Sequence, residues 1–156
     1  MRVLGVDPGT SVTGYGVVDI GNGHPGRLVE CGAITLTRRA PLALRLQELH
    51  EGIAELIARH RPTTLALENA FYQKNVRTTL VLGHARGVVL LAAQQAGLTI
   101  REYSPATVKK TVAGAGGAPK AQVGTMVARL LRLRHAPRPA DAADGVAVAL
   151  THILRG

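Results

Sequence analysis

The chain of 156 residues has one cysteine, Cys31, no tryptophan, a single phenylalanine, Phe71, and only 10 acidic residues. One cysteine excludes an internal disulfide and any multi-cysteine zinc site, and suits a strand residue in a reducing cytoplasm. No apolar stretch reads as long and uninterrupted enough to cross a bilayer; even Val88 to Ala93 is short. Nor is there an amphipathic basic helix with aromatic anchors, so no membrane-surface role is expected. The opening, Met1 to Asp7, reaches a strand and an acidic residue too soon for a signal peptide, and the expected location is cytoplasmic. A hydrophobic content of 46% excludes wholesale disorder, and the length suits a single domain, 1–156, with a real core.

The scarce acids stand against 19 lysines and arginines, a net charge of +9. Such a surface attracts polyanions through counterion release and points to nucleic acid. The positions of four acids are informative. Asp7 ends the run Val3 to Val6, and Glu68 ends Leu65-Ala66-Leu67. Asp141 and Asp144 precede the apolar stretch Gly145 to Leu154, and their i, i+3 spacing puts both on one helical face. Each has an ordinary explanation. Asp before Pro8-Gly9 is common turn chemistry. Glu68 could pair with an arginine on an edge strand, and Asp141 and Asp144 could complement a helix dipole. Together, buried carboxylates at strand ends are costly unless they hold a cation. Hard oxygen donors favour magnesium or manganese. His135 and His152 read as a surface residue and a helix-face residue rather than ligands.

The first third reads as strands: Arg2 to Val6, Thr13 to Ile20 and Arg27 to Leu36, joined by short turns and hence antiparallel. Leu46, Leu49, Ile53, Leu56 and Ile57 follow helical spacing before Pro62. Thr63 to Glu68 is a strand reached through that helix, parallel to the first. Thr78 to Gln95 is a helix closed by Gly97, and Leu98 to Tyr103 a fifth strand. Ser104-Pro105 starts another helix. After the break Gly114 to Pro119 come a helix carrying Val123, Val127, Leu130 and Leu131, the Pro137-Arg138-Pro139 connector and a last helix. The fold expected is α/β, a mixed five-stranded sheet with helices on both faces.

Val6-Asp7-Pro8-Gly9-Thr10, Thr13-Gly14-Tyr15-Gly16, Glu68-Asn69-Ala70-Phe71, Gly83-His84-Ala85-Arg86-Gly87 and Ala140-Asp141-Ala142-Ala143-Asp144 resemble the RuvC family of bacterial Holliday junction resolvases. Five motifs in order, over nearly the whole chain, make the resemblance specific. It implies a ribonuclease H-like fold and Asp7, Glu68, Asp141 and Asp144 as catalytic acids and metal ligands. Some relatives carry histidine at the position of Asp141. It further implies a homodimer that nicks two strands of like polarity at a four-way DNA junction, leaving 5′-phosphate and 3′-hydroxyl ends. Two Mg2+ ions, about 4 Å apart and replaceable by Mn2+, would assist, with Asp7 bridging them. RuvA and RuvB are the implied partners.

Phe71, beside Tyr72, Gln73, Lys74 and Asn75, reads as a base-stacking wedge rather than a core plug, and the resemblance agrees. Tyr72 and Lys74 join it as DNA-binding candidates. Lys109 and Lys120 bracket the glycine-rich break, and matching lysines in the family contact phosphate. Arg77 and Arg86 are further backbone-binding candidates, while Gly83 and Gly87 suit close helix packing at a dimer interface. Rival readings are an ATPase-type domain, since Asp7-Pro8-Gly9-Thr10 resembles the phosphate turn of actin and sugar kinases, a ribonuclease H-like nuclease for structured RNA, and a junction-binding module without catalysis.

Overall fold

In the computed structural model, which describes residues 1–21, 26–69 and 75–156, alternating apolar residues in the first third close into three antiparallel strands. These are β1 (Arg2–Asp7), β2 (Val12–Asp19) and β3 (Arg27–Thr35). Helix α1 (Leu42–His60) buries the stripe Leu49, Ile53, Leu56 and Ile57. It stops at Arg61, whose left-handed backbone (φ 49°) turns its N–H to the Ile57 carbonyl ahead of Pro62. The chain returns as β4 (Thr64–Glu68), parallel to β1 and in register from Val3↔Thr64 to Val6↔Leu67. Helix α2 (Val76–Gln95) begins two residues earlier than the sequence suggests, because the Asn75 side chain accepts the Thr78 N–H at 3.2 Å and caps it. Strand β5 (Thr99–Tyr103) runs parallel to β4. Ser104 caps α3 (Pro105–Ala113) through the Thr107 N–H at 3.1 Å, as expected of Ser-Pro. Helices α4 (Lys120–Leu130) and α5 (Ala140–Arg155) complete the chain.

The sheet order is β3-β2-β1-β4-β5, the expected mixed sheet. Its two faces are separate cores. Leu4, Val6, Leu65 and Leu67 pack with α1 and α2, while Val3 and Ala66 pack with α3, α4 and α5. Helix α5 is buried almost throughout, from Ala142 to His152, and lies across β1 and β2. Gly5, Gly14, Gly16 and Gly145 permit that approach. A Cβ on Gly14 would collide with the Asp141 carbonyl, and one on Gly145 with the Tyr15 backbone.

One expectation needs correction. At 20 residues, with a mean hydropathy of 1.3, α2 is long and apolar enough to cross a membrane by length and composition. Its inner face, Leu82, Ala85, Val89, Ala92 and Ala93, is instead buried on the sheet. Short runs such as Val88 to Ala93 hid this, because the polar residues between them fall on other faces of the same helix.

Candidate active site

The parallel pairing of β1 and β4 sets the C-terminal residues Asp7 and Glu68 side by side. Side chains alternate along a strand. Val3 and Ala66 face α5, so Asp7, four residues after Val3, and Glu68, two after Ala66, face α5 as well. Asp144, one turn into α5, meets them there. A cleft of about 180 Å³ is lined by Asp7, Glu68, Asp144, Lys109 and Lys120, with Val108 and Val123 among its apolar walls. Sequence reasoning put four acids together, and three of them line this cleft. Asp141 does not line it; it lies in the first turn of α5, close enough to Lys120 to act on its charge.

Electrostatics in the cleft are unusual. Asp7 is pushed up to about 9, first by burial, then by its hydrogen bond with Glu68 and by the charges of Glu68 and Asp144, with Lys120 opposing. A carboxyl in that state holds a proton at neutral pH. Lys120 donates to Asp144 Oδ2 at 2.9 Å, and this bond is the main cause of its raised pKa. Among the described residues no three carboxylate, imidazole or thiolate groups are drawn together tightly enough to form a finished metal cage. The donor chemistry nevertheless fits a hard divalent ion. Two adjoining carboxylates and a third beside them lack sufficient positive charge, and a bound cation would let Asp7 ionise.

The other predicted residues divide into groups. Lys109 lines the cleft beside the acids. Lys120 is there too, but it is engaged with Asp144, a pairing that sequence reasoning missed. Pro119 has an extended backbone (ψ 150°) and hands the chain directly into α4, which fixes where Lys120 starts. Arg77 sits in the first turn of α2, in a separate cleft with Arg45. The Arg86 guanidinium pairs with Glu102 of β5 and is only 17% exposed, so it ties α2 to the sheet. Phe71, Tyr72 and Lys74 lie outside the described residues. Glu68 belongs to an interior strand, which removes the edge-strand explanation for it.

His152 is buried, and its Nδ1 hydrogen-bonds the Tyr103 hydroxyl at 2.7 Å, while His135 is exposed; neither lines the acid cleft. Asn69, next to Glu68, was not singled out. Its N–H donates to the Tyr103 carbonyl at 2.9 Å, and its buried Oδ1 has no hydrogen-bond partner among the described residues. Its position directly after a strand-end acid was the available signal.

Comparison with known proteins extends the geometry. Residues 3–152 match the family model described as "Crossover junction endodeoxyribonuclease RuvC". A protein of that description from Halorhodospira halophila is 55% identical over 151 residues, covering 97% of this chain and 89% of the relative. The solved structure of Thermus thermophilus RuvC superposes with a TM-score of 0.90 at 36% identity, covering 99% of this chain and 94% of that one. T. thermophilus RuvC in complex with a Holliday junction substrate gives a TM-score of 0.92 at 36% identity, with 99% and 93% covered. The match spans β1 through α5 and includes every strand that carries the site, so the chain belongs to the RuvC family.

Proposed function

We propose that this chain is a structure-selective endonuclease that resolves four-way DNA junctions by paired nicks, leaving 5′-phosphate and 3′-hydroxyl ends. The observation that carries this reading is the convergence of Asp7, Glu68 and Asp144 in one lysine-rimmed cleft of a RuvC-family sheet. The likeness to a RuvC bound to a Holliday junction supports the choice of substrate. Asp7, Glu68 and Asp144, with Asp141 beside them, would hold Mg2+ or Mn2+. Bound divalent ions supply water activation and neutralise charge on the phosphate and the leaving 3′ oxygen. Asp7 and Glu68 hold the charge at one fixed place, since both sit on paired central strands. Lys109 and Lys120 face the phosphate from the cleft rim. Phe71, Tyr72 and Lys74 are assigned to the crossover on sequence grounds alone.

Paired nicks need two sites, and the surface of α2 supports a homodimer. Val76, Leu80, Gly83, Gly87 and Leu91 follow helical spacing and are all exposed. A Cβ on Gly83 or Gly87 would meet nothing within 4 Å. Large apolar residues with small ones between them form a close-packing stripe. RuvA and RuvB are the partners proposed from the family resemblance, and a cytoplasmic location is proposed with them. The test is cleavage, with magnesium, of a four-way junction against linear duplex and structured RNA. Selective nicking of the junction, lost in Asp7→Asn, Glu68→Gln or Asp144→Asn while binding persists or tightens, is the expected result. Equal cutting of duplex or RNA would overturn it.

A further inference from the structure

A second cleft opens on the other side of the sheet. It has a volume of about 190 Å³ and is lined by Thr10, Ser11, Arg45, Arg77, Thr78 and Val81. Several waters would fit there, at roughly 30 Å³ each. Two arginines from different helices line it, the half-buried Arg45 from α1 and the exposed Arg77 from the first turn of α2. Neither forms an ion pair among the described residues. Arg45 donates only a long bond, 3.4 Å, to the Thr10 carbonyl, and its buried Nε has no partner among those residues. Glu48, one turn along α1, uses Oε2 for Thr37, accepting from its hydroxyl at 2.9 Å and its N–H at 3.3 Å, while its buried Oε1 has no hydrogen-bond partner among the described residues and does not line the cleft. Two arginines gathered around three hydroxyl-bearing residues, with no acid in the lining, form a site short of one anion.

The location gives that anion an identity. Thr10 and Ser11 belong to the turn that leaves β1 just after Asp7, so the cleft adjoins the same end of the sheet as the acids. Lys109 and Lys120 come from α3 and α4 on one face, Arg45 and Arg77 from α1 and α2 on the other. A nucleic-acid strand crossing this end of the sheet therefore meets cations on both flanks. We propose that Arg45, with Arg77 and the hydroxyls of Thr10, Ser11 and Thr78, forms a subsite for one phosphodiester of the junction DNA, which positions the strand for cutting at the acid cleft. Arg45 acts here as a positioning residue. The inference rests on the nuclease reading above.

Binding of a four-way junction, with calcium replacing magnesium, is measured over a series of salt concentrations. Neutralising one phosphate contributes about 0.9 to the slope of log affinity against log salt. Arg45→Gln is expected to reduce the slope by up to that amount, and Arg45→Lys to restore it. Because both arginines share one phosphate, Arg45→Gln with Arg77→Gln should lose about 0.9 in total, not twice that. Ser11→Asp supplies the missing anion from within. It should leave the melting temperature unchanged or raised, and weaken junction binding tenfold or more. An unchanged slope in folded Arg45→Gln with a lowered melting temperature would make Arg45 a strut for the Thr10 carbonyl and overturn the proposal. So would full junction affinity in Ser11→Asp. Stabilisation of the wild type by inorganic phosphate, without any slope change in Arg45→Gln, would assign a free-anion site instead and also overturn it. Failure of the wild type to prefer the junction over duplex sinks the nuclease reading separately, since the slope comparison can be made on either DNA.

Discussion

Asp7 shows how much one side chain can reveal about what a site expects to bind. Its folded pKa lies far above the ordinary value of 3.8, so between pH 4 and 9 the folded chain binds a proton that the unfolded chain has released. Stability from this group is complete below pH 4 and is lost as pH rises through 9. Melting curves in chelator should therefore show a falling melting temperature across that window, and Asp7→Asn should flatten the fall. Adding magnesium should raise the wild-type melting temperature most at the alkaline end. A flat wild-type profile would remove Asp7 from the buried pair. Asp19 behaves oppositely. Its hydrogen bonds with Arg2, at 2.6 and 3.0 Å, hold its pKa below the usual carboxylate range, so its contribution disappears only on acidification. The acids were legible in the sequence because each stands out against an apolar run. The Lys120–Asp144 bond was not, since it joins two helices whose relative placement is set by tertiary packing.

At the scale of elements, α5 carries much of the design, being pinned at both ends. Near its start, Gly14 on β2 leaves room for the Asp141 carbonyl. Gly14→Ala should push the helix start away from the sheet, at a cost of about 1–3 kcal/mol, and slow nicking more than it weakens junction binding. Normal kinetics with normal melting would show that the contact is loose. Near its end, His152 is held by the Tyr103 hydroxyl. Tyr103→Phe leaves the His152 Nδ1 without that partner and should cost about 1–3 kcal/mol in chemical denaturation. All ten elements among the described residues were readable from periodicity, turn residues and caps, with boundaries off by a residue or two where a cap decided them. Asn75 is the example: its side chain recruits Val76 and Arg77 into α2, which the apolar pattern alone began at Thr78. The pairing of Arg86 was not legible because nothing in its local sequence points to Glu102 on a neighbouring element.

For the molecule as a whole, the +9 charge should make binding to any four-way DNA fall steeply with salt, measurable by titration at several ionic strengths. Calcium should support that binding with little cutting, because its looser coordination holds a transition state poorly. Replacing Leu80 of the exposed α2 stripe by a charged residue should shift the sedimentation of a dimer to that of a monomer and uncouple the two nicks. Salt-insensitive binding would defeat the electrostatic account, and an unaltered mass would defeat the α2 interface.

The order in which the acids occur along the chain has one more consequence. Asp7 ends the first strand, Glu68 closes the fourth, and Asp144 arrives only with the last helix. A chain still being synthesised, or one cut short before Ala140, contains two of the three cleft acids and an uncovered sheet face, but no assembled cleft. Cutting power is thus acquired only once α5 has been made and seated. An unfinished or partly unfolded copy can neither seat α5 nor nick DNA, so harmless failure is built into the topology itself.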